Sequence, residues 1–192
     1  MAHVKNPLWK KETKSIFLSH REAHLAKGFT QIIESLSRKR IRCFVANQNI
    51  QQGEPFRDEI HKAIDNSIAV VGLLTSASID RHWVNYELGY AEAKSKPIFP
   101  FLLSDDLNNL GTHPLGNRHY IKPNVVELTR LIKTLFSLAE VPLPPKERLH
   151  KCARSFLHSI TMKITERSQS SRLKRHLDMI DGRIRTFYKI AT

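Results

Sequence analysis

The segment Ile68-Ala69-Val70-Val71-Gly72-Leu73-Leu74 carries no polar side chain across its length, and no other run does as much to limit the fold. A strand with one wet face alternates apolar and polar residues. A continuous apolar run needs cover on both faces, the situation of a parallel sheet between helices. This run is therefore the expected centre of a sheet. Shorter runs of the same kind occur at Ile16-Phe17-Leu18 within residues 14–19, at Ile41-Arg42-Cys43-Phe44-Val45, and from Ile98 to Leu103 after Pro97.

Between these runs the apolar period changes from continuous to helical. Leu25, Phe29, Ile32, Ile33 and Leu36 form one face, Phe56, Ile60, Ala63 and Ile64 a second, and Trp83, Glu87, Leu88 and Ala91 mark a third helix. Lys39 and Arg40 are expected at the negative end of the first helix, and Pro55 in the first turn of the second. Strand and helix alternate four times, which predicts an open α/β sheet. Residues 104–117 read as loop, His119 to Ile121 as a short edge strand, and Val125 to Ala139 as a closing helix.

Pro142, Pro144 and Pro145 break the pattern and set a boundary. The expected organisation is an arm over residues 1–12, a folded domain over 13–140, and a basic helical extension over 141–192. In the extension Leu149, Ala153, Phe156, Leu157, Ile160 and Ile164 form one stripe. Gln169 to Ser171 form a hinge, and Leu173, Leu177, Ile180, Ile184, Phe187 and Tyr188 a second stripe. Such stripes need burial, so a helical hairpin is expected. Of the net charge of +13, most sits there: residues 146–192 hold 12 Lys/Arg against 4 Asp/Glu. That balance favours polyanions or an acidic partner surface without choosing among them, and nucleic-acid binding stays open.

Several classes drop out. No apolar stretch approaches the ~20 residues of a membrane span. Met1 to Lys14 lack an apolar leader core, so a cytoplasmic protein is expected. Cys43 and Cys152 have no ligand spacing, and the ten histidines are dispersed, so no metal site is expected. No Gly-rich phosphate loop is present.

Ligands of open α/β sheets bind beyond the carboxyl ends of the strands. Glu87, in Trp83-Val84-Asn85-Tyr86-Glu87-Leu88-Gly89-Tyr90-Ala91, is the sharpest candidate there. Trp83 is four residues before it and shares its face. A partly dehydrated carboxylate can hold sugar hydroxyls and stabilise the positive charge of a breaking glycosidic bond. A surface helix residue, or a partner for an arginine, would also explain Glu87. Arg21, after the first strand, has the fork of a phosphate ligand, or is a solvated charge at a helix start.

Lys14-Ser15-Ile16-Phe17-Leu18-Ser19-His20-Arg21 resembles the opening strand of TIR domains. Phe44-Val45-Ala46-Asn47-Gln48-Asn49-Ile50, leading through Gly53 to Phe56-Arg57-Asp58-Glu59-Ile60, is similar to the family's BB loop and the helix after it. Val70 to Thr75, Ser76-Ala77-Ser78 and Trp83 to Ala91 resemble its third strand and glutamate segment, and Lys96-Pro97-Ile98 the entry to the next strand. The resemblance, to prokaryotic members, covers about residues 13 to 140.

It implies a flavodoxin-like fold with a five-stranded parallel sheet, to which the chain adds its C-terminal helical extension. It implies an NAD+ glycohydrolase or cyclase that cuts the nicotinamide–ribose bond, with NAD+ as substrate and no cofactor. Glu87 would be catalytic, and Ser19, Arg21, Phe44, Ala46 and Trp83 would line the substrate site. Bacterial members of this type act in anti-phage defence or signalling, and they self-associate or answer to an effector or sensor protein. The alternative is a non-catalytic TIR adaptor that works through TIR–TIR assembly. The extension lies outside the family pattern, and Ala46 stands where many receptor-type members have an acidic residue.

Overall fold

In the computed structural model, which describes residues 13–46, 56–75, 78, 82–103 and 119–163, the apolar runs become strands. They are β1 (Lys14–His20), β2 (Ile41–Phe44), β3 (Ala69–Leu74) and β4 (Ile98–Leu102). All pair in parallel in the order β2-β1-β3-β4. Ile16 lies opposite Ala69, Phe17 opposite Phe44 and Val70, and Gly72 opposite Pro100. Every residue of β3 is buried, as its unbroken composition requires.

The connections are helices: α1 (Ala23–Leu36), α2 (Phe56–Asp65), α3 (His82–Ala93) and α4 (Val125–Leu138). The apolar period read from the sequence is the buried one. Leu25, Phe29, Ile33 and Leu36 of α1 are buried, as are Ile60 and Ile64 of α2. Phe17, Val70 and Leu74 of the sheet form one cluster with Ile60, Ile64, Val84, Leu88 and Ala91. Helix α1 ends at Leu36, so Lys39 and Arg40 lie beyond its last turn rather than within it.

The sheet has four strands among the described residues, not the five expected. The segment read as a fifth strand makes a single parallel bridge, Ile121 to Phe101. Ile121 donates to the Pro100 carbonyl at 2.8 Å and accepts from the Leu102 N–H at 2.9 Å. Pairing cannot continue, because Pro123 has no N–H to give. The next residue, Asn124, is already the cap of α4, its side chain accepting from the Glu127 N–H at 2.9 Å. The pairing of this segment therefore stops at one bridge, and the chain passes from Pro123 directly into the cap of α4.

Beyond α4 a further helix, α5, runs over residues 146–163. Leu149, Ala153, Phe156 and Ile160 are buried along one stripe of it. Near its start Arg148 donates to the Ser35 carbonyl of α1 at 3.2 Å. The chain divides into two compact units, residues 1–154 and 155–192. The hinge at Gln169 to Ser171 and the second apolar stripe of the extension lie outside the described residues, as does the arm at 1–12. No helix among the described residues is long and apolar enough to cross a membrane.

Candidate active site

In the order β2-β1-β3-β4 the chain first moves one way from β1, to β2, and then the other way, to β3 and β4. The carboxyl ends of β1 and β3 flank that reversal, where open α/β sheets form their crevice. Ser19 stands there near the end of β1 and is fully buried. Glu87 stands in the second turn of α3 and is only 3% exposed. The Ser19 Oγ donates to Glu87 Oε2 at 2.5 Å across 68 residues of sequence.

A carboxyl in this position is under strain of an electrostatic kind. Burial raises its pKa from the ordinary 4.5 to about 7, against hydrogen bonds from the Ser19 and Trp83 side chains that hold it down. Among the described residues no cation acts on it. The Trp83 contact follows from the helical spacing of the two residues. A poised, buried carboxyl at a crevice suits a site better than a surface or ion-pair role.

More polar atoms gather at the same edge. Thr75, just past β3, donates to Glu22 Oε1 at 3.0 Å. The Nε2 of His20 and the other carboxylate oxygen of Glu22 are buried and find no hydrogen-bond partner among the described residues. Burial lowers the His20 pKa, so this imidazole is neutral near pH 7. Buried polar atoms of this kind need a partner, which a bound ligand could supply. Cys43 offers no competing nucleophile, since burial pushes its thiol up to about 12.

Aromatic residues wall the site on the side of α2 and α3. Phe56 lies 5.0 Å from Trp83, and Trp83 5.4 Å from Tyr86. The Tyr86 hydroxyl meets His61 Nε2 at 2.5 Å, and His61 stacks on Tyr90 at 3.8 Å. In the sequence His61 is one of many dispersed histidines, and no local pattern marks Glu22 or Tyr86 as site residues. Their proximity depends on how α2 sits against α3, which spacing within one helix does not reveal.

Of the residues singled out in the sequence, Ser19, Trp83 and Glu87 come together. Arg21 is exposed in the bend after β1. Phe44 is half-buried and stacks on Phe17 at 5.7 Å, and Ala46 is buried in the apolar cluster under α2 and α3. The loop after Ala46, with Gly53 and Pro55, lies outside the described residues, as do 76–77, 79–81 and 104–118.

Ser19→Ala tests the pair directly. It removes a hydrogen bond to the charged form of Glu87, worth about 1.5–3 kcal/mol. The carboxyl midpoint, followed by NMR titration, is expected to rise by about 1–2 pH units. An unchanged midpoint would show that the Ser19 contact does not act on the carboxylate.

A family model for the TIR domain matches residues 16–127, more than half of the chain. The chain belongs to the TIR domain family. The match takes in Ser19, Trp83 and Glu87 together and stops at the start of α4, so α5 lies beyond the TIR match. Among solved structures, the TIR domain of the Toll-related receptor TRR-2 from Hydra magnipapillata is 16% identical, with a TM-score of 0.49, covering 65% of this chain and 97% of that one. The TIR domains of the activated Roq1 resistosome, which directly recognizes the pathogen effector XopQ, are 18% identical, with a TM-score of 0.43, covering 77% and 99%. At these scores the family assignment rests on the family match alone. No curated protein matches the chain.

Proposed function

We propose that this TIR domain cleaves NAD+ at the bond between nicotinamide and ribose. The observation that carries the proposal is the buried Ser19–Glu87 pair at the sheet crevice, with a carboxyl that titrates near neutrality. The C1′–N bond breaks with its electron pair going to nicotinamide, which leaves neutral. Positive charge develops on the ribose, and the Glu87 carboxylate faces it and accepts from the ribose hydroxyls. Water then attacks C1′ and gives up a proton to yield ADP-ribose, or an internal nucleophile of the substrate attacks and closes a cyclic isomer. Trp83 lines the nicotinamide end, and Ser19 orients Glu87. Arg21, exposed just past β1, reaches the substrate from the edge, while Phe44 and Ala46 support the site from the packed core.

The charge logic is consistent. NAD+ brings a cationic nicotinamide ring, which favours the ionised form of Glu87 and lowers its pKa in the complex. The acid limb of kcat/KM, which reports the free protein, should therefore lie near pH 7, and that of kcat lower. The test of the reading is chromatography of NAD+ incubated with protein at high concentration. Nicotinamide should appear with ADP-ribose or a cyclic isomer. Its complete absence from an assembled sample would leave the non-catalytic adaptor as the function.

The working form we propose is self-associated through the TIR body, in the cytoplasm where NAD+ is abundant, with NAD+ consumption serving anti-phage defence or signalling. The aromatic wall reaches the surface at Phe56, which is 38% exposed, and a second copy or an effector could complete it. Sedimentation and specific activity should then rise together with protein concentration. High, constant specific activity across the monomeric range would contradict assembly.

A further inference from the structure

At the other end of the sheet lies a cavity of about 270 Å³. Its walls come from the end of α1 with the turn into β2, and from the proline-rich segment leading into α5. In the sequence that segment marks only a boundary. β1 runs between the two ends, and its five steps from Lys14 to Ser19 put the cavity roughly 16 Å from the Ser19–Glu87 pair. Arg38, Arg40 and Arg148 all line the cavity, and no acidic residue among the described ones does.

The arginines have little to do in the fold itself. Arg38 and Arg40 make no side-chain hydrogen bond or ion pair among the described residues. Arg148 uses one of its five N–H donors on the Ser35 carbonyl. The backbone holding Arg38 is itself unusual. Helix α1 closes with the Lys39 N–H on the Glu34 carbonyl at 2.7 Å and the Arg38 N–H on the Ser35 carbonyl at 3.4 Å. This hydrogen-bond pattern places a left-handed residue after the cap, a position that favours glycine. Arg38 occupies it with φ 52°, and Lys39 follows with φ 61°. The chain thus keeps a guanidinium where glycine would be the easier choice, and left-handed non-glycine residues of this kind gather at ligand clamps.

Apart from Ser37, the rest of the wall is apolar, with Leu36, Val141, Pro142 and Pro144 among its residues. The N-terminus of α5, at the same segment, adds its partial positive charge. We propose that this cavity binds a nucleoside phosphate, with the phosphates on Arg38, Arg40 and Arg148 and the base against the prolines. Guanidinium forks match phosphate oxygens in pairs. The volume lies just below the roughly 300–1,000 Å³ of most small-molecule sites, and so suits a mononucleotide rather than a dinucleotide. The site stands independently of the proposed NAD+ cleavage.

The experiment is titration of the full chain with ADP, inorganic phosphate and adenosine, followed by backbone NMR and calorimetry. ADP should bind most tightly and shift the signals of residues 36–40 and 141–148. Arg38→Gly removes the charge but suits the left-handed backbone, so the protein should fold normally. ADP affinity should nevertheless fall about tenfold or more, as for a lost charge-assisted contact. Arg40→Gln should weaken ADP in the same direction, while Glu87→Gln should leave this binding intact. The proposal is overturned if ADP shifts only residues around Ser19 and Glu87, or if folded Arg38→Gly protein binds ADP as wild type does. It is overturned equally if a short single-stranded oligonucleotide binds there and ADP does not.

Discussion

A Glu87→Gln protein is expected to gain stability over wild type as the pH rises through neutrality, although it loses the group on which the proposed activity depends. The folded protein holds the Glu87 proton to about pH 7, whereas the ordinary value is 4.5. Between those values the folded state binds more protons than the unfolded chain, so wild-type stability falls as pH rises through this window. Above it the ionised, buried carboxylate costs about 3 kcal/mol, at about 1.4 kcal/mol per pH unit. Glutamine does not ionise and escapes that cost. It brings a fixed penalty of its own, because its amide N–H must find a partner. The pH-dependent part is the clean one: from pH 5 to pH 8 the difference between variant and wild type should move by about 2.5 kcal/mol in favour of the variant. Urea midpoints at the two pH values measure it. A difference that does not change with pH would mean that Glu87 titrates normally and is not held against its solvation. Functional sites often carry such a cost in stability.

Ending the chain after Glu140 should destabilise the TIR domain by about 3–5 kcal/mol. Leu149 and Ala153 are 1% and 0% exposed and belong to the same compact unit as the sheet. Removing them uncovers the surfaces they bury, at roughly 25 cal/mol for each Å² of apolar area. The truncation also takes the Val141 N–H from the Phe136 carbonyl, and Arg148 from the Ser35 carbonyl at the end of α1. Leu149→Ala isolates the packing and should cost about 2–4 kcal/mol. Both losses should persist at high salt, because they are apolar rather than ionic. A truncated protein with an unchanged urea midpoint would reduce the extension to an accessory charged arm.

What the sequence disclosed follows its periodicities. β3 was legible because both of its faces are buried, and α1 because Leu25, Phe29 and Ile33 repeat at helical spacing. The fifth strand was misjudged because His119, Tyr120 and Ile121 look like an edge strand when Pro123 and the capping role of Asn124 are left out. In the site, Trp83 and Glu87 were linked by their spacing on one helix. Ser19 joined Glu87 through family resemblance, as no local pattern joins residues 68 positions apart. The contact of His61 with Tyr86 and the Thr75–Glu22 bond arise from the packing of separate elements. The arginine cavity was invisible for the same reason. Its walls are two segments about a hundred residues apart in the chain, and each by itself reads as a basic turn or a proline-rich linker.

The most direct measurement is nicotinamide release from NAD+ by wild-type and Glu87→Gln proteins, compared at pH 8 on samples matched for assembly by sedimentation. At that pH the wild-type carboxylate is ionised, and the variant keeps its shape without its charge. The expected result is many turnovers by wild type and a rate at least ~100-fold lower in the variant, the order lost with a principal electrostatic contact. Near wild-type release by folded Glu87→Gln protein, or none from assembled wild type, would contradict the assignment of Glu87 as the group that carries the chemistry.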